Sequence, residues 1–133
     1  MHLTNYSINK FNKSSFVKNN DNLEDFGSKW TISGLRKLLQ ENNIDDNALF
    51  AKIEDIIIKT IISAEMVLNN AFEMYVPHER NCFELLGFDI LIDEQLNPWL
   101  LEVNLSPSLT CDSAIDHKVK APLISDLLTL IGV

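Results

Sequence analysis

Cysteine is scarce in this chain of 133 residues, with only Cys82 and Cys111. Two thiols are too few for a disulfide framework or a four-ligand zinc site, and they suit a reducing, cytoplasmic setting. Long apolar runs are missing too. The most apolar window, residues 56–62, is interrupted by Lys59 and falls far short of the roughly 18 residues a membrane span requires. The first residues are polar (Thr4, Asn5, Ser7, Asn9), so no secretory leader and no membrane association are expected. Basic charge is also in short supply. The formal net charge is −8, and a surplus of acid opposes the phosphate neutralisation on which nucleic-acid binding depends. Nucleic acid is therefore not an expected partner.

The charge that is present is divided unevenly. Residues 1–40 carry six Lys/Arg against three Asp/Glu, whereas the remainder carries five against sixteen. Hydrophobic residues make up 46% of the chain and charged residues 23%, the balance of one folded domain or a large part of one. There is no internal repeat and no low-complexity tract.

Local patterns predict an α+β chain in which antiparallel strands pack with helices. Residues 2–8 alternate loosely as a short strand, and residues 9–29, rich in Asn, Ser, Lys and Asp, read as a long loop. Thr31 is an N-cap candidate for a helix carrying Leu35, Leu38 and Leu39, which Asn42 and Asn43 end. Asp45 or Asp46 then caps a longer helix reaching about Tyr75, with Leu49, Ile53, Ile56, Ile57, Ile61, Ala64, Leu68 and Phe72 at helical spacing. Ile58, Ile62 and Val67 widen that stripe, which predicts packing against a core on more than one side. Residues 83–93 and 99–104 read as two strands around a turn at 94–97, with Pro98 tolerated at a strand start. Residues 105–111 form a loop shaped by Ser106, Pro107 and Ser108. Residues 114–131 read as a closing helix in which Pro122 predicts a break or a new start.

The two strands hold the chemistry. Side chains alternate across a strand, so Gly87, Asp89, Leu91 and Asp93 share one face, as do Leu100, Glu102 and Asn104. If Asp93 stands opposite Pro98, antiparallel counting sets Asp89 directly across from Glu102, with Asn104 two residues further on. Spacing alone equally allows Asp89 and Glu102 to be an ordinary solvent-exposed pair, but opposed carboxylates destabilise a sheet unless a cation lies between them. Two carboxylates and an amide oxygen suit Mg²⁺, a hard cation that also binds nucleotide phosphates. With no His or Cys in the set, a transition metal is disfavoured. The apolar neighbours Phe83, Leu85, Phe88, Ile90, Trp99, Leu101 and Val103 predict that these strands are buried, where unpartnered acids are costly. Asp93 and Glu94 are expected to be solvated turn residues. His2 reads as structural, and no Ser/His or Cys/His nucleophile can be composed.

Four segments in order, HLTNYSINK (2–10), GSKW (27–30), CFELLGFDILID (82–93) and PWLLEVNLSPSL (98–109), together with DLLTLIGV (126–133), resemble the tubulin tyrosine ligase-like family, and most of all its polyglutamylases. The resemblance covers residues 1–133 and implies the C-terminal part of an ATP-grasp catalytic domain. It implies an ATP-dependent, Mg²⁺-using ligase that joins free glutamate to glutamate side chains of tubulin tails through an acyl phosphate. By the same resemblance Thr4 and Asn5 match ATP-contacting positions. Tyr6, Ser7, Lys29 and Lys120 match positions around the incoming amino acid, and Asp89, Glu102 and Asn104 match the metal ligands. The expected setting is the microtubule cytoskeleton, including the cilium or basal body.

Several expectations follow from what the resemblance does not place here. The family's adenine pocket, phosphate-covering loop and an arginine for the amino-acid carboxylate lie upstream of the matched segments, so the isolated chain is expected to be inactive. An acidic segment also repels acidic tubulin tails, which directs tail binding to residues 1–40 or to other regions. Two alternatives stand beside the glutamate ligase. One is a ligase adding glycine or tyrosine, and the other a non-catalytic tubulin- or partner-binding fragment.

Overall fold

Thr31 begins the first helix in a computed structural model that describes residues 29–76 and 82–132. Its hydroxyl accepts the amide of Gly34 at 3.0 Å, which satisfies one of the donors left free at a helix start. The helix, α1 (Ile32–Glu41), ends where Asn43 turns into the left-handed region at φ 58°, a conformation Asn tolerates better than most residues. There the amide of Ile44 returns to the carbonyl of Leu39 at 2.9 Å, and Leu39 is buried. The predicted strand at 2–8 and most of the predicted loop at 9–29 lie outside the described residues.

The chain separates into two units, Met1–Ile44 with Leu109–Val133 and Asp45–Ser108. In the first unit, α1 is joined by the closing helix α3 (Ala114–Ile131). Ser113 caps α3, and Gly132 closes it at φ 82°, donating to Leu128 at 3.1 Å and Thr129 at 3.3 Å. A left-handed C-cap of this kind favours glycine. The expected break at Pro122 is not there, because α3 runs straight through it. Pro122 can donate no i→i−4 bond, but each flank of the helix is held by its own cap.

The second unit holds α2 (Asp46–Tyr75) and a two-stranded sheet, β1 (Leu86–Ile92) and β2 (Pro98–Leu105). Asp45 settles the open choice of cap by accepting the amide of Ala48 at 3.0 Å. Asp46 and Leu49 are the buried residues of α2, and α2 packs along β2. The predicted multi-sided burial of this helix is corrected: Ile58, Ile62, Met66 and Val67 are all exposed. The expectation of buried strands is corrected as well, since Phe83, Trp99 and Leu101 are more than half exposed. Apolar sequence shows what a face can bury, and within these residues no second layer covers it. No helix of the described residues is long and apolar enough to cross a membrane.

Glu94 is exposed, as expected, but Asp93 is half-buried and is more than a solvated turn residue. Its carboxylate accepts the amides of Gln95 at 3.0 Å and Asn97 at 2.7 Å, the side-chain amide of Asn97 at 3.3 Å and the indole N–H of Trp99 at 2.9 Å. The Trp99 indole and the Asn97 amide hold its pKa below the ordinary aspartate value. Leu96 adopts φ 60° within the same turn. Asp93→Ala is expected to release the indole and loosen the turn, read as loss of the downfield Trp99 indole resonance. An unmoved resonance would show that the backbone alone holds the turn.

Candidate metal and amino-acid sites

The register of the sheet places the acids. Gly87 pairs with Asn104, Phe88 with Val103 and Asp89 with Glu102. Beyond Asp89 the count slips by one, so that Ile90 pairs with Leu100 and Ile92 with Pro98. The expected pairing of Asp93 with Pro98 is therefore corrected, and so is the shared face of Leu100 and Glu102. Leu101 is the extra residue of a β-bulge, which bends a strand and re-aims its side chains. Asp89 still stands opposite Glu102, because the bulge offsets the shorter register near the turn.

The pair is electrostatically loaded. The pKa of Asp89 is raised, first by partial desolvation, then by the hydrogen bond it shares with the Glu102 carboxyl and by that group's like charge. Asn104 donates its side-chain amide to Glu102 Oε1 at 3.3 Å. Two carboxylates that repel, with an amide beside them, form an oxygen-only donor set that a hard divalent cation would relieve. Turning the Asn104 amide would present its oxygen to the same point. Among the described residues no group of three or more His, Cys, Asp or Glu side chains that could hold a metal ion is found, and Asp89, Glu102 and Asn104 include no imidazole or thiolate for a softer metal. The residues present fit Mg²⁺.

The loop after Asn104 is built around a glycine. A Cβ on Gly87 would meet Pro107 Cβ at 3.2 Å and Asn104 Cβ at 3.7 Å, so the missing side chain lets Pro107 fold back beside Asn104. Ser106 takes φ 48° and donates its hydroxyl to Glu84 at 3.3 Å. Gly87 and Glu84 carried no functional signal in the sequence. Only the approach of Pro107 across the hairpin gives them a role.

In the other unit, Lys29 is bound to Asp116 through both carboxylate oxygens, at 3.0 and 3.1 Å. Asp116 also accepts the Ser113 hydroxyl at 2.7 Å, while its own amide donates to Ser113 Oγ at 3.3 Å. Desolvation raises the pKa of Asp116, but the Ser113 hydroxyl, Lys29 and Lys120 together outweigh it, and the net shift is downward. Lys120 donates to the Thr110 carbonyl at 2.5 Å. The structure thus brings together Asp89, Glu102 and Asn104 in one unit, and Lys29 with Asp116 in the other, where Lys120 lies one helical turn beyond Asp116. Thr4, Asn5, Tyr6 and Ser7 lie outside the described residues. Asp116 was not singled out by the sequence. A Ser-x-x-Asp pattern ahead of an apolar run marks a helix start, yet nothing in it points to a lysine 87 positions away.

The model of the tubulin-tyrosine ligase family matches residues 1–133. The tubulin polyglutamylase TTLL5 of Homo sapiens is 52% identical over 132 residues, covering 99% of this chain and 10% of its own length. The tubulin monoglutamylase TTLL4 of Mus musculus is 46% identical over 99% of the chain and 11% of its own length. The tubulin polyglutamylase ttll6 of Danio rerio is 47% identical over 99% of the chain and 17% of its own length. The chain thus spans between a tenth and a fifth of these relatives.

Proposed function

The chain belongs to the tubulin-tyrosine ligase family, and from that premise we propose that the protein carrying it is an ATP-dependent ligase adding glutamate to glutamate side chains of tubulin tails. The observation that carries the reading is the opposition of Asp89 and Glu102 with Asn104 beside them. The activity is assigned to the full-length protein, within an ATP-grasp catalytic domain of which this segment is the C-terminal part. Tubulin and microtubules are the proposed partners, free glutamate and ATP the proposed co-substrates, and the microtubule cytoskeleton the proposed location.

In this reading the γ-phosphoryl group of ATP passes to the γ-carboxylate of a tail glutamate, giving an acyl phosphate and releasing ADP. The α-amine of free glutamate attacks that carbonyl, forming an isopeptide bond and releasing phosphate. Asp89, Glu102 and Asn104 would hold Mg²⁺, which neutralises charge on the nucleotide phosphates when bound. The contribution of the chain's own residues is position and charge. Lys29 and Lys120 would meet carboxylates of the incoming amino acid, where both reactants are acidic and repel one another. Thr4 and Asn5 would contact ATP, and Tyr6 and Ser7 the amino acid.

A ligase adding glycine or tyrosine is the alternative, since a few side chains can decide the amino acid. The names of the relatives, polyglutamylases and a monoglutamylase, favour glutamate. Full-length protein supplied with microtubules, Mg²⁺-ATP and radiolabelled glutamate, glycine or tyrosine is expected to incorporate glutamate. Incorporation of glycine or tyrosine alone would reject the reading.

A further inference from the structure

We infer that Asp116 is a positioning residue that sets the Lys29 ammonium group for a carboxylate of the incoming amino acid, an inference that rests on the ligase reading above. A Lys side chain is a flexible four-carbon stem, and holding its charge at one point costs conformational entropy. Lys29 is held at that point by two contacts from a single carboxylate, at 3.0 and 3.1 Å. Its side chain is 32% exposed and that of Asp116 13%, so the bridge is sheltered from water while the ammonium remains within reach of a ligand.

Asp116 is itself fixed from three directions. Ser113 donates a hydroxyl to it, its backbone amide returns to Ser113 Oγ, and it lies in the first turn of α3, where the helix dipole favours negative charge. Lys120 follows one helical turn later, on the same side of the helix, and its charge acts on Asp116. Lys120 thus adds a second positive charge to the side of α3 that carries Asp116. Lys120 is set further by its bond to the Thr110 carbonyl at 2.5 Å.

This arrangement also explains the pattern around α3. Ser113 and Asp116 cap the helix, and the same capping pair orients Lys29.

The test uses the full-length protein and measures KM for free glutamate, KM for ATP and kcat, alongside the melting temperature. Asp116→Asn is expected to raise KM for glutamate about tenfold to a hundredfold with KM for ATP unchanged, the scale set by misplacing a binding group. Asp116→Glu, which keeps the charge, is expected to recover part of the loss. On a Lys29→Met background, Asp116→Asn is expected to have a smaller effect than it has alone, because the group it orients is already gone. Equal changes in both KM values with a lowered melting temperature, or no change in either KM, would overturn the positioning role. If Lys29→Met itself leaves KM for glutamate unchanged, the assignment of Lys29 to the amino acid falls with it. If Lys29→Met raises KM and Asp116→Asn does not, that assignment stands and only the role of Asp116 is lost.

Discussion

Asp89→Asn and Glu102→Gln, made singly in the full-length protein, are each expected to lower turnover by about 10²–10³-fold or more, the scale of removing one group that stabilises transition-state charge. Each replacement keeps the shape of the side chain and removes one negative charge from a pair that the register holds face to face. The fold has little to lose by it. Asp89 is exposed and its carboxyl sits above its ordinary pKa, so with no cation bound the pair opposes folding rather than supporting it. The penalty is absent below the ordinary aspartate pKa. It grows through the interval up to the raised value and is complete above it. Asp89→Asn removes it, so the melting temperature without metal is expected to be unchanged or slightly higher.

A bound cation reverses that sign by favouring the ionised pair. The rise in melting temperature on adding Mg²⁺ is therefore expected to increase as pH climbs through the same interval, and to vanish in both variants. Turnover that survives in both would reject the metal assignment, whatever the melting curves show.

Leu49→Ala is expected to cost about 2–4 kcal/mol of stability, the usual range for truncating a buried leucine. Leu49 is 3% exposed in the first turn of α2, beside the buried Asp46. Leu39 is the other fully covered aliphatic residue among those described. With so few buried apolar side chains, each carries a large share of the packing. Equilibrium denaturation of the full-length protein measures the change, and a loss below about 1 kcal/mol would contradict the burial of Leu49.

The helix starts were legible because capping is local. Thr31 and Asp45 each accept an amide three residues ahead, and that much is written in neighbouring residues. The end of α1 at Asn42 and Asn43 was legible on the same grounds. The bulge was not, since a residue inserted into a ladder leaves no mark on local propensity. The expected opposition of Asp89 and Glu102 was reached from a turn pairing that the structure corrects, and it holds because Leu101 adds one residue to β2 between Leu100 and Glu102. Burial was misread for another reason. Phe83, Trp99 and Leu101 have the composition of a covered strand, but whether a face is covered depends on what packs on it. The link from Lys29 to Asp116 spans 87 positions, a distance over which periodicity carries no information.

The sheet has a practical consequence for anyone handling the segment by itself. Among the described residues it has two strands and no interior, so there β1 and β2 each present an edge row of backbone donors and acceptors. Trp99 and Leu101 lie exposed along one of them. Such an edge templates pairing with another copy. Expressed by itself, the segment is expected to self-associate through such an edge, which concentration-dependent sedimentation would show.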